Sequence, residues 1–269
     1  MSALFKIWAI AQLTFIEAVR QRFFYVLLLI GAGMLLGTGF FQQFDFGTEE
    51  LKFIMDFGFG TLFFLGSLLA ITSSAQLFYS EIENRTALTL LAKPVRNSEF
   101  LVGKFLGIQL LMLSFVLLLS VLLVVMLWWR EAALGESTKL LDYADVWCYG
   151  MVQWGRFGIL CAISLMIGSF ARSYLFTLML SFLIMMVGQL QYLARDSYVE
   201  ITFVPLRWLV QGLGLFFPNL QLFNIGDQLG DIFMGGVLML QLAQLMLYAA
   251  IYWVAYLSLA WWVFRRREI

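Results

Sequence analysis

Residues 80–104 read SEIENRTALTLLAKPVRNSEFLVGK, the most polar long stretch between two hydrophobic spans. It opens on Glu81-x-Glu83, passes Thr86 and an apolar patch of Leu88, Leu90 and Leu91, breaks at Pro94, and resumes at Glu99 before entering the next span. Asn84, Arg85 and Thr86 suit the opening of a short helix. Pro94 ends it, because proline lacks the amide hydrogen and clashes with the preceding turn. Two short amphipathic pieces joined at a proline, between two membrane helices, make a rigid loop. Such a loop suits the transmission of force from a partner.

The composition around this loop sets the class. Hydrophobic residues make up 62% of the 269 and charged residues 13%, about half the charged share of a soluble domain. No soluble fold of this length hides so much apolar surface, so the chain is a polytopic membrane protein. The formal net charge is zero, which gives no sign of nucleic-acid binding. Histidine is absent, removing imidazole bases, His-ligated metals and most nucleophilic triads. Cys148 and Cys161 lie 13 residues apart in one apolar segment, roughly 20 Å along a helix, too far to bridge. They read as buried apolar residues.

Residues 2–22 carry Lys6, Glu17, Arg20 and Arg22 within an apolar run and do not read as a signal peptide. Leu4, Ile7, Trp8, Ala11, Phe15 and Ala18 fall at helical spacing, predicting an amphipathic helix in the inner headgroup layer. The alternative is a plain cytoplasmic extension of the first span. That span is Phe23 to Phe41, with Gly33 and Gly37 on a small-xxx-small face open to another helix. The second runs from about Phe53 to Tyr79 and is rich in hydroxyls that can bond their own helix. The third, Phe100 to about Trp129, would rise about 45 Å, which leaves its first turns in the cytoplasm and Lys104 wet. The fourth is Val146 to Phe170 and the fifth Tyr174 to about Leu193. Residues 194–235 are apolar but broken by Pro205, Arg207, Gly212, Gly214 and Pro218, which predicts a re-entrant or interfacial hairpin. The last span is about Met234 to Phe264.

Arg156 stands inside the fourth span, where an arginine is expensive and points to function. Asp56 sits one turn into the second span. With both toward the outer face, they are expected to pair and shape an outer vestibule, the alternative being that Arg156 snorkels and Asp56 is solvated. With six spans and the N-terminus inside, eleven Lys and Arg lie inside and five outside, with Arg156 in a span. The positive-inside rule then places both termini and the 80–98 loop in the cytoplasm.

There is no phosphate-binding loop: Gly103-Lys104 is followed by Phe105. G-x-S-x-G, HExxH, CxxC and dinucleotide fingerprints are absent too. No catalytic, cofactor or metal residues are therefore assigned.

The run Glu81-x-Glu83-x-x-Thr86…Leu90-Leu91-x-x-Pro94-x-Arg96, followed by Leu101-Val102-Gly103-Lys104, resembles the intracellular loop of type 2 ABC-transporter permeases. That group includes the permeases of nitrous-oxide-reductase maturation and gliding-motility systems. The resemblance extends more weakly over the whole chain, to the N-terminal amphipathic segment, six spans and Pro218-Asn219-Leu220. The family's usual basic residue after the second Glu is here Arg85, behind Asn84.

The resemblance implies one all-α transmembrane domain over residues 1–269. It has an elbow helix (1–22), six spans, a cytoplasmic coupling helix (80–98) and a segment (194–235) before the last span. It further implies that Glu81, Glu83, Arg85, Thr86, Pro94 and Arg96 dock on a separate ATP-binding cassette subunit, which binds ATP and Mg. A second permease copy, identical or not, and a bacterial inner membrane follow from it, with export or extraction from the membrane as the activity. An ATP-independent secondary transporter, a channel or a membrane scaffold are the other readings. A transporter of that kind needs ionisable groups at mid-membrane.

Overall fold

The computed structural model describes residues 3–39, 50–83, 96–134, 143–171, 173–198, 214, 216–226 and 238–265. Seven α-helices account for most of them: α1 (Ala3–Val19), α2 (Arg22–Gly37), α3 (Glu50–Glu83), α4 (Asn97–Leu134), α5 (Ala144–Phe170), α6 (Tyr174–Tyr198) and α7 (Leu238–Arg265). A short 3-10 turn, Leu220–Phe223, lies between α6 and α7. No strand occurs among the described residues. In hydrocarbon every backbone amide needs an internal partner, and helices supply it within their own segment.

Helices α3 to α7 are long and apolar enough to cross a membrane, and the bent pair α1–α2 raises the number to as many as six. The bend is 61° and falls at Gln21, whose extended backbone interrupts the helix. Helix α2 has 16 residues, about 24 Å of rise against a hydrocarbon core of about 30 Å. Residues 40 and 41, the end of the expected first span, lie outside the described residues.

The core is built around α5, which packs against α3, α4, α6 and α7. Of its most apolar stretch 89% is buried, against 11% for α7. Lipid tails are as apolar as leucine, so such contacts rest on close packing and on hydrogen bonds to neighbouring backbones. Tyr149 stacks on Phe59 of α3 at 3.9 Å between ring centroids. Ser164 Oγ donates to the Ile71 carbonyl at 3.3 Å. Trp154 Nε1 donates to the Gln109 carbonyl of α4 at 3.1 Å, and Trp253 Nε1 of α7 donates to the Gly155 carbonyl at 3.1 Å.

The hydroxyls of α3 bond their own helix as expected: Thr61 to the Phe57 carbonyl, Ser67 to Phe63, Thr72 to Leu68 and Ser74 to Ala70. The expected glycine face of α2 needs correction. A Cβ at Gly33 or Gly37 would meet nothing within 4 Å, whereas one at Gly31 would stand 3.0 Å from Leu119 of α4. The close approach within this chain therefore uses nearly the opposite side of α2, about 120–160° away around a 3.6-residue helix. Cys148 and Cys161 are both free thiols, with Cys161 buried.

The segment around Pro218 is inserted among the helices. Leu220 and Phe223 are fully buried. The Asn219 side chain accepts from the Gln221 amide at 3.1 Å and starts the turn. The Asn219 amide donates to Tyr248 Oη at 2.9 Å, and Tyr256 Oη donates to the Phe216 carbonyl at 2.5 Å. Polar backbone at membrane depth is tolerated where protein supplies such partners. The rest of 199–237, apart from Gly214, lies outside the described residues.

Candidate coupling end and an intramembrane arginine

Helices α3 and α4 run antiparallel and are tied at both ends. At one end Lys104 Nζ donates to the carbonyl oxygen of Leu77. At the other Arg130 pairs with Glu50. The 34 residues of α3 and 38 of α4 correspond to about 51 and 57 Å of rise, well beyond a core of about 30 Å. The stems of the 84–95 loop are thus continuous with two long helices.

Glu81 and Glu83 lie in the last turn of α3. Arg85, Thr86 and Pro94, with the short helix expected there, lie outside the described residues. Arg96 is exposed and stands just before α4. Its backbone amide donates to Glu99 Oε2 at 3.1 Å, and its carbonyl accepts from the Phe100 amide. This is the reciprocal half of a capping box, in which a Glu at the third helical position satisfies the amide before the helix. Phe100 in turn stacks on Phe264 of α7, 6.3 Å between centroids.

Lys104 is not wet. It is 0% exposed, and besides its bond to Leu77 it lies 5.6 Å from the Phe100 ring centroid. Helix α4 begins seven residues earlier, at Asn97, so Lys104 sits two turns in and faces α3. Helix α1 packs along the same end of α4. It comes so near because the residues opposite are glycines. A Cβ at Gly103 would stand 2.8 Å from Ile10 Cβ, and one at Gly107 2.6 Å from the Ala11 carbonyl oxygen. The buried residues of α1 are Ala11, Thr14 and Ala18, while Leu4, Phe5, Trp8, Leu13 and Ile16 are exposed. Its small residues therefore take the protein side, leaving large apolar ones outside.

At the opposite end, Tyr143 donates its hydroxyl to Glu131. Burial, then the hydrogen bond to the Glu131 carboxylate and its charge, push the phenol up to about 12. This contact and the Arg130–Glu50 pair together join the ends of α3, α4 and α5.

Arg156 stands at the middle of α5 and is 0% exposed. Nη1 donates to Gln153 Oε1 at 3.2 Å and Nη2 to Gln189 Oε1 at 3.3 Å. The guanidinium lies 3.7 Å from the Phe63 ring centroid, a cation–π contact that desolvation strengthens. Asp56 is not among these partners. It is exposed and seven residues before Phe63, about 10 Å along α3. The amides extend outward as a chain: Gln153 Nε2 donates to the Phe223 carbonyl at 3.0 Å, and Gln189 Nε2 donates to Gln221 Oε1. Of this set, Gln153 carried a signal, lying three residues before Arg156 on one helix face. Gln189 and Gln221 carried none, because spacing within a helix does not reveal the partner face.

Among the described residues no group of three or more Cys, Asp and Glu gathers as a metal site. No curated protein matches the chain. A family model described as "ABC-2 family transporter protein" matches residues 8–269, nearly all of it. With its apolar helices and this match, the chain belongs to the ABC-2 transporter family, as a multi-pass membrane permease.

Proposed function

We propose that this chain is the membrane subunit of an ABC transporter whose ATPase is a separate polypeptide. That subunit binds ATP and Mg and docks on residues 80–98. Glu81, Glu83, Arg85, Thr86, Pro94 and Arg96 form the docking surface. Closure of two ATP-binding subunits moves the loop and tilts α3 and α4. The tilt reopens a pathway between two permease copies, for export or for extraction of a substrate from the membrane. The chain sits in a bacterial inner membrane with both termini in the cytoplasm.

The observation that best supports this reading is the clamp between Lys104 and the Leu77 carbonyl. It joins the two stems of the loop, so a push on the loop acts on both helices as one lever. The family's reliance on an ATP-binding partner supports it as well.

The test is purification of the tagged full chain from its own host in mild detergent, with mass spectrometry of what accompanies it. The expected companion is a stoichiometric ATP-binding protein, lost when Glu83→Lys and Arg96→Glu are combined. A chain that emerges alone and without ATPase activity would overturn the reading.

A further inference from the structure

We propose that Arg156, with Gln153, Gln189 and Gln221, forms an intramembrane site for an oxyanion. The ligand is a phosphate-type group, either carried on a lipid or arriving free from water. This inference does not depend on ATP coupling.

The first ground is charge. A cation buried in hydrocarbon needs a counter-charge or an equivalent set of dipoles. The described partners of Arg156 are two amide oxygens and a ring face, with no carboxylate among them. The second ground is geometry. Nε is buried without a hydrogen-bond partner, and Nη2 holds only the Gln189 oxygen at 3.3 Å. Nε and Nη2 form one edge of the guanidinium, and a two-donor edge is how arginine takes a phosphate or carboxylate side-on.

The third ground is the chemistry of the amides. A glutamine side chain carries both an acceptor oxygen and a two-donor nitrogen. The oxygens of Gln153 and Gln189 face the guanidinium. A half-turn of the Gln189 amide, with Gln221 turning in step, would present N–H groups to an anion seated on the Nε–Nη2 edge, while Gln153 stays on Nη1, anchored to the Phe223 carbonyl. The same side chains thus serve the bare cation and the ion pair.

Access follows the same residues. Arg156 and Gln153 are fully buried, whereas Gln189 and Gln221 are half-buried. The apolar stretch of α6 that carries Gln189 is only 22% buried, with Met186 and Leu190 exposed beside it. Displacing the Gln189 amide therefore opens the cation toward the outer face of α6, where a headgroup would enter with its tails in the bilayer.

The test uses the full chain in an uncharged detergent. Thermal unfolding and native mass spectrometry are followed on adding phosphatidylglycerol, inorganic phosphate, or diacylglycerol as the uncharged lipid. Phosphatidylglycerol is expected to raise the wild-type midpoint and to stay bound, with diacylglycerol inert. Arg156→Gln is expected to weaken that binding about tenfold or more. Gln189→Glu supplies the anion internally and is expected to unfold at higher temperature with no response to added lipid. If inorganic phosphate reproduces the effect, the site stands and its ligand comes from water. A wild-type chain indifferent to both anions overturns the proposal, as does a Gln189→Glu chain that responds like wild type. The second result decides even where Arg156→Gln does not fold.

Discussion

Lys104 and Arg156 are both fully buried cations, and the protein accommodates them in different ways. Lys104 is held by a backbone carbonyl inside α3 and by a ring one turn back on its own helix. The carbonyl cannot withdraw without moving a helix. Arg156 is held by side-chain amides from α5 and α6. The Gln189 amide, whose other partner is the Gln221 side chain, turns about a single bond without disturbing either backbone. A cation solvated by backbone is a structural rivet, and a cation solvated by side chains can exchange its partners. The rivet stands at the stems of the loop proposed to dock a partner, and the exchangeable cation in the middle of the bundle.

The largest expected effect strikes the rivet. Lys104→Glu places a carboxylate against the Leu77 carbonyl, acceptor against acceptor. It should cost about 3–5 kcal/mol, the range for breaking a buried charge arrangement. The measurement is thermal unfolding in detergent. A variant as stable as wild type would show that this end of α3 and α4 opens to water, removing the contrast with Arg156.

An intermediate effect is expected at the exchangeable cation. Gln189→Leu removes the Nη2 acceptor while preserving the apolar bulk of α6, and should cost about 1–3 kcal/mol for the unsatisfied donor. The same unfolding measurement checks it. A loss as large as that of Lys104→Glu would mean the amides are as rigid a support as a backbone carbonyl.

The smallest effect is expected outside the membrane, where Tyr143 donates to Glu131. The folded phenol is pushed up to about 12 from an ordinary 10.0, so folding favours its neutral form. That contribution is fully present below about pH 10 and is lost as pH rises through 12. Tyr143→Phe should therefore lower the unfolding temperature slightly and evenly up to pH 10, with the difference from wild type shrinking above it. A difference that grows above pH 10 would reverse the sign and refute the assignment.

Much of the helical layout was legible in the residues. Long apolar runs bounded by charge placed α3 to α7 close to where they fold, because hydrophobic length is a local property that a bilayer reads directly. The loop motif of 81–104 pointed to the family that the match over residues 8–269 shows. The misplaced features depended on helix rotation. Lys104 was expected wet because its span is long, yet length does not say which face meets α3. Gly33 and Gly37 have the spacing of a contact face, but Gly31 meets α4. Gly103 and Gly107 have that same spacing, and α1 uses it.

The sequence by itself determined that the chain is helical, polytopic and free of its own phosphate-binding loop. Those properties follow from composition and from the order of residues along the chain. Only the tertiary structure decided that α5 is the core helix, that Lys104 rivets the loop stems, and that Arg156 meets Gln153 and Gln189 in place of Asp56. The physical reason is that lipid gives no hydrophobic preference for one apolar helix face over another. The faces are sorted by shape and hydrogen-bond fit, and those exist only once the helices are together.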